Sequence, residues 1–149
     1  MSFNTRNGTR GAWQPGRVML LVNKLTAGRI RKSGHAMGFN ALVLTTVGRK
    51  TGVERESPVS CFAQGDGSWL IVASANGGAR NPAWYYNLAA NPDRVRVETA
   101  GRAVDVTAHE LHGAEREAAW LQITTKGPRF AAYQEKTDRR LPVIKLVPR

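Results

Sequence analysis

The stretch Leu42–Ser60, LVLTTVGRKTGVERESPVS, constrains the fold of this chain more than any other. It opens as an apolar, β-branched run that suits a buried strand, turns on Gly48-Arg49-Lys50-Thr51-Gly52, and continues as an extended, more polar segment. The expectation is a pair of antiparallel strands with the glycine-bearing loop at its tip. Two glycines bracket two cations and a hydroxyl, so the loop can aim backbone N–H groups, an alcohol and positive charge at one anion. The same residues also suit a hairpin turn that merely happens to be basic. A short glycine-bearing loop does not by itself separate these readings.

Charge bears on that choice. The chain has 149 residues and a formal net charge of +11, unevenly placed. Residues 1–53 hold nine Lys and Arg and no Asp or Glu, whereas the remainder carries 13 basic and 11 acidic side chains. A field of this kind favours an anionic partner: a phosphate, a polycarboxylate, nucleic acid or an anionic lipid surface. A nucleic-acid module interleaves exposed aromatics with its cations. Only Phe3 and Trp13 do so here, so no nucleic-acid partner is expected.

The length fits one domain with a proper core. The single cysteine, Cys61, rules out an intrachain disulfide. The longest early apolar run, Val18–Val22, is too short for a membrane span or a signal-peptide core, so a cytoplasmic protein is expected.

Residues 1–16 read as a flexible basic arm ended by Pro15-Gly16, and residues 17–149 as a single domain. Val18, Leu21, Val22 and Leu25 fall at helical spacing, with Lys24, Arg29, Arg31 and Lys32 interleaved. Such a helix can lie on an anionic membrane surface, giving a peripheral contact through residues 1–32, or pack on its own domain with solvated cations. Gly34, Gly38 and Asn40 end it. Strands are expected at Ala41–Val47, Val53–Phe62, Ser68–Ala73, Arg94–Thr99, Arg102–Glu110 and Leu141–Val147. Pro58 marks a bulge or an edge, and Gly65-Asp66-Gly67 a hairpin turn. Between the third and fourth strands, Ser74–Arg80 is small and glycine-rich, open to close approach by a ligand. Asn81 as N-cap and Pro82 at the first position open a short helix, Ala83–Ala90, stopped by Asn91-Pro92. Further helices are expected at Glu115–Thr125 and Phe130–Lys136. This order suits an α+β domain built on a small barrel.

Most catalytic chemistries lack their residues. His35, His109 and His112 have no supporting Cys or acidic cluster, so no metal site is expected. Cys61 lacks an activating histidine, and neither a G-x-S-x-G, a Rossmann nor a P-loop motif is present. Glu54 and Glu56 alternate with Arg55 and read as ion-pair partners. What remains is an anion-binding surface without an evident acid, base or nucleophile, which points to chemistry carried by a cofactor.

Three blocks then become specific: LVLTTVGRKTGVERESPVSCF, IVASANGGARNPAWYYNLAANP, and Tyr133 ahead of TDRRLPVIKLVP. In order and spacing, over about residues 40–149, they resemble the deazaflavin (coenzyme F420)-dependent nitroreductase and quinone reductase family. The resemblance implies a split β-barrel, of the flavin-reductase and FMN-binding type, with short flanking helices. It implies reduced F420 as hydride donor to a quinone, nitroaromatic or similar small-molecule acceptor. Gly48, Arg49, Lys50, Thr51 and Gly52, with Arg55, would hold the cofactor's phosphate and acidic tail. Ala73, Ser74, Ala75, Asn76, Gly77 and Gly78 would line the deazaflavin ring, with Trp84 and Asn87 completing the site. Tyr133 would face the substrate as a proton or hydrogen-bond donor, since a free tyrosine, pKa about 10, is protonated at neutral pH. Phe130 and Lys136 stand where the family can carry tyrosines, and Asn76 where a lysine can occur. A non-catalytic F420 carrier and an FMN-binding barrel protein are the alternatives.

Overall fold

The computed structural model describes residues 3–11, 18–36 and 39–149, with side chains of the first helix from Thr26 onward. The expectations on Trp13, Pro15-Gly16, Gly38 and the apolar face Val18–Leu25 lie outside the described residues. The elements are α1 (Val18–Ser33), β1 (His35–Ala36), β2 (Phe39–Val47), β3 (Glu54–Ser60), β4 (Phe62–Ala63), β5 (Trp69–Val72), α2 (Ala83–Ala90), β6 (Val95–Thr99), β7 (Arg102–Glu110), α3 (Gly113–Lys126), α4 (Arg129–Glu135) and β8 (Val143–Pro148). One 3-10 turn, Ala75–Gly77, follows β5.

The strands form one antiparallel sheet in the order β1-β2-β6-β7-β8-β5-β4, with β3 added on β2. With four helices among the described residues, this is the expected α+β split barrel. β2 explains why its sequence is an unbroken apolar run rather than an alternating one. Leu42 and Leu44 point into the barrel beside Val97, Trp84 and Leu88. Ala41 and Val43 point the other way, beneath Ala27 and Ile30 of α1. A strand covered on both faces takes apolar residues on both, as Ala41–Leu44 do before the buried threonines Thr45 and Thr46. β5 repeats the logic. Trp69 and Ile71 face the barrel, while Leu70 and Val72 meet Ile123 of α3 and Phe130 of α4. Burying Ile30 on this surface is worth about 1.5–3 kcal/mol, so the second half of α1 belongs to the fold.

Several element ends differ from expectation for local reasons. The expected strand Val53–Phe62 divides at Cys61 because its two parts pair with different strands, β3 with β2 and β4 with β5. The last strand starts at Val143 rather than Leu141, because the Leu141 N–H is taken by Gln134 Oε1 and Pro142 has no N–H to give. Pro58 sits on an edge strand, since β3 pairs with β2 alone. Asn81 does not cap α2. Pro82 occupies the N-cap position without a side-chain bond, and Asn81 is spent elsewhere.

The expected arm is docked where it is described. Thr5 Oγ1 donates to Glu110 (2.5 Å), the Gly8 N–H to the Ala79 carbonyl (2.6 Å), and the N–H groups of Thr9 and Arg10 to Asp138 (2.7 and 2.9 Å). Gly8 and Gly11 leave no room for a side chain against Asp138 and the Gly78–Ala79 peptide. Residues 3–11 thus form a strap across the end of the barrel.

Candidate active site

Four stretches meet along α2: the Gly48–Gly52 loop, the segment Ala73–Gly78, the strap and the turn after α4. The loop closes on itself first. Gly48 N–H donates to Val53 O and Gly52 N–H to Gly48 O, both at 2.8 Å, and Val53 N–H to Thr51 Oγ1 at 3.2 Å. Gly52 has φ +71°, a conformation that only glycine adopts freely, so this glycine closes the turn. Helix α2 then fixes the loop from below. The Arg49 N–H donates to Asn87 Oδ1 (3.1 Å), and Asn87 Nδ2 donates to Thr46 Oγ1 at the end of β2 (3.1 Å). The Arg49 guanidinium lies 4.9 Å from the Tyr86 ring centroid, a cation–π contact worth about 0.5–1 kcal/mol at an exposed site.

Charge is left over at this loop. Glu56 and Glu98 hold Arg31, while Glu54 and Glu98 hold Arg96 at 3.6 Å, which agrees with reading the β3 glutamates as ion-pair partners. Among the described residues, no carboxylate pairs with Arg49, Lys50 or Arg55, all three exposed. The acids nearest in sequence serve α1 and β6 instead.

The segment after β5 is strained. Ala75, Asn76 and Gly77 have φ of 45°, 53° and 83° in succession. Two non-glycine residues in the left-handed region cost about 1–3 kcal/mol each, and such strain persists only where surroundings enforce it. Arg139 enforces it. Its guanidinium, 3% exposed, donates to the carbonyls of Ala73 (2.9 Å), Ser74 (2.7 Å) and Gly78 (2.8 Å) and to Asn81 Oδ1 (2.8 Å). No carboxylate accompanies it among the described residues. Burial lowers its pKa to about 10, which still leaves a cation at neutral pH. Hydrogen bonds to a charged group contribute about 1.5–3 kcal/mol each, enough together to offset both desolvation and strain.

Arg139 and the Gly48–Gly52 loop are parts of one network. Asn81 Nδ2 donates to Thr5 O (2.9 Å) and to Tyr86 Oη (3.3 Å). Asn7 Oδ1 accepts from both the Asn81 N–H and Tyr86 Oη, each at 2.8 Å. The path therefore runs from Arg49 through Tyr86, Asn7 and Asn81 to Arg139 and the strained segment.

Tyr133 lies on α4, half-buried, with its ring edge-on to Phe130 at 5.6 Å. Its hydroxyl makes no hydrogen bond among the described residues. The Tyr133 carbonyl backs onto Gly77, where a Cβ would approach it to 2.8 Å. The structure thus brings Ala73–Gly78 and Tyr133 side by side, and ties the Gly48–Gly52 loop to Asn87. Trp84 is placed differently from the others. It is a core residue of the barrel at 9% exposure and reaches the site only from beneath.

Sequence reasoning passed over Arg139, Tyr86, Asn81 and Asn7 as site residues. Arg139 and Arg140 are indistinguishable as letters, yet Arg140 is exposed on Glu117 while Arg139 is buried. Cys61 is a small core residue, its thiol pushed up to about 12 by burial.

A family model described as F420H(2)-dependent quinone reductase matches residues 17–148. An F420H(2)-dependent quinone reductase of Mycobacterium tuberculosis is 36% identical over 112 residues, covering 73% of this chain and 74% of that one. Among solved structures, an F420-H2 dependent reductase (FDR-A) is 37% identical, with a TM-score of 0.65 over 75% of this chain and 97% of that one. A Listeria innocua structure described as a pyridoxamine 5′-phosphate oxidase matches at 16% identity and a TM-score of 0.50, over 72% of this chain and 82% of that one. At that identity the likeness concerns the fold alone.

Proposed function

The chain belongs to the F420H(2)-dependent quinone reductase family, and from that premise we propose that Gly48–Gly52, Ala73–Gly78 and Tyr133 form a single site for hydride transfer to a quinone or nitroaromatic acceptor. The chain is an F420-dependent reductase, and reduced coenzyme F420 is its cofactor. The observation that carries the site assignment is the continuous network joining Arg49 to Arg139, which fixes both glycine-bearing segments against α2.

The residues present fit the cofactor. Arg49, Lys50 and Arg55 form an exposed cationic group without carboxylate partners, suited to a phosphate and a glutamate tail. Thr51 and the Gly48–Gly52 backbone keep that group in one loop conformation. The segment Ala73, Ser74, Ala75, Asn76, Gly77 and Gly78 offers peptide edges and little side-chain bulk to a flat ring. Bound reduced F420 supplies the hydride; the protein's part is to hold the two reactants together and keep their orientation. Tyr133 would donate its hydroxyl proton to the acceptor oxygen that gains negative charge and regain a proton from solvent, a role suited to a hydroxyl that makes no hydrogen bond among the described residues.

The test is a rate. Protein, reduced F420 and menadione are mixed and cofactor reoxidation is followed, with a nitroaromatic in a second arm. Acceleration supports the proposal. Tight F420 binding with no acceleration by any quinone would make the chain a carrier. Titration of F420 and FMN against tryptophan fluorescence separates the FMN-binding alternative.

We also propose that the protein is cytoplasmic and makes peripheral contact with an anionic membrane through residues 1–32. The motive is the absence of any acid in residues 1–53. No helix among the described residues is long and apolar enough to cross a membrane. Deleting the whole segment would expose the surface under Ile30, so the cleaner test is Arg29→Gln with Lys32→Gln, both exposed. Unchanged binding to phosphatidylglycerol vesicles would rule the contact out.

A further inference from the structure

We propose that Lys136 is a specificity-determining residue on the acceptor side of the site: its ammonium, held beside Tyr133 and Gly77, selects quinones that carry an anionic substituent. The inference rests on the site proposed above and names the charge of the acceptor class it takes.

The argument starts from placement. Tyr133 and Lys136 are three residues apart at the end of α4, a spacing that puts both side chains on one face. The Lys136 Nζ lies 5.7 Å from the centroid of the Tyr133 ring. The stem of the side chain runs over Gly77: a Cβ built on that glycine would lie 3.0 Å from Lys136 Cβ and 3.3 Å from Lys136 Cδ. A lysine that rests its methylenes on the protein and leaves its head in water is a cation with a fixed base. Here the base is the junction between the Ala73–Gly78 segment and α4, and the head stands over the phenol assigned to the acceptor.

The second observation is that this charge is not spent. Among the described residues, no carboxylate pairs with Lys136. Asp138, two positions on, gives its carboxylate to the Thr9 hydroxyl and to the N–H groups of Thr9 and Arg10. A lysine in the last turn of a helix commonly serves the free carbonyls there. At this end of α4 other groups do that work. The Tyr133 carbonyl accepts from the Lys136 N–H (3.1 Å), and the Glu135 carbonyl from the Arg10 guanidinium (3.0 Å). The ammonium is therefore left to face whatever lies against Tyr133, and an arriving carboxylate gains from it what a neutral group of the same shape does not.

The test is equilibrium dialysis on the full chain, with and without oxidised F420, so that binding is read apart from turnover. The probes are menadione bearing a propionate side chain and the same quinone bearing a propionamide. Wild type is expected to bind the propionate more tightly. That preference should shrink about two- to fivefold in Lys136→Gln, the worth of one exposed ion pair. It should shrink further in Lys136→Glu, whereas Lys136→Arg, which keeps the charge, should retain most of it. Arg102→Gln, exposed at the start of β7, is the control for net charge and should leave the preference in place. Thermal unfolding is read in parallel to show that each variant is folded. Equal binding of the two probes by wild type, or binding of neither, would overturn the proposal. So would a preference unchanged in Lys136→Gln and Lys136→Glu, or one that drops equally in Arg102→Gln, since it would then belong to the charge of the whole chain. Turnover of plain menadione with reduced F420 is measured separately. Turnover without a Lys136-dependent preference leaves the site standing and strikes Lys136. A Lys136-dependent preference without turnover supports charge selection while the hydride-transfer site falls.

Discussion

The backbone N–H of Arg49 donates to Asn87 Oδ1 at 3.1 Å, so the tip of the basic loop is fastened to a buried side chain of α2. Asn87 spends its amide on Thr46 Oγ1 at the end of β2 as well. One residue therefore sets the position of the loop relative to the strand that leads into it and to the helix that follows Ala73–Gly78.

Asn87→Ala leaves the Arg49 N–H and the Thr46 hydroxyl without that partner. The expected cost is about 1–3 kcal/mol of stability, since a buried polar group left unsatisfied costs that much. F420 affinity should fall along with it, because the loop loses its fixed position. Thermal unfolding and a fluorescence titration check the two effects. A variant that loses stability and keeps full F420 affinity would show that the loop is ordered by its own turn alone.

The barrel was legible because its strands carry their burial in their letters. The centre of β2, Ala41–Leu44, reads as a continuous apolar run because both of its faces are covered, and Ala83–Ala90 was readable from Asn81-Pro82 and Asn91-Pro92 at its ends. The roles of the flanking residues were not legible. Asn81 has the identity of an N-cap, yet its side chain serves Arg139 and Thr5, a choice made by contacts from residues 58 and 76 positions away. The strap shows the same limit. Its composition reads as mobile, and only the distant Glu110 and Asp138 explain why residues 3–11 are docked. Long-range hydrogen bonds leave no periodicity in sequence, so Arg139 could not be told from Arg140.

Strap docking should depend on pH through Asp138. The Thr9 hydroxyl and the Arg10 N–H hold its carboxyl down, from the ordinary 3.8 to about 2. A depressed carboxyl contributes stability that is full above its unfolded value and is lost as pH falls through the folded value. Wild type should therefore exceed Asp138→Ala in stability at pH 5–7, with the difference closing between about pH 4 and pH 2. Chemical denaturation across that range is the measurement. A gap that persists at pH 2 would assign the effect to packing rather than to the carboxylate.

Gly77 is held at φ +83° with a Cβ position 2.8 Å from the Tyr133 carbonyl and 3.0 Å from Lys136 Cβ. Gly77→Ala must either push α4 away or flatten the strained turn. Stability should drop by about 1–3 kcal/mol from the left-handed backbone and the overlap together. Since α4 carries Tyr133, turnover should fall more than the stability loss alone accounts for at a temperature where the variant is fully folded. Turnover matching wild type under those conditions would separate α4 from the reaction.

Tyr133→Phe is the sharpest probe of the chemistry, because it removes one oxygen and keeps the ring that packs on Phe130. The hydroxyl makes no hydrogen bond among the described residues, so its loss should leave thermal stability nearly unchanged. Cofactor affinity should also hold, since the assigned ring contacts come from the Ala73–Gly78 backbone and the tail contacts from Arg49 and Lys50. What should fall is kcat with menadione, by about 10²–10⁴-fold if proton donation to the acceptor is part of the rate-limiting step. A second signature separates donation from positioning. In D2O the wild-type rate should slow while the variant, lacking the donor, shows a smaller solvent isotope effect. An unchanged kcat would place Tyr133 outside the reaction and leave solvent as the proton source.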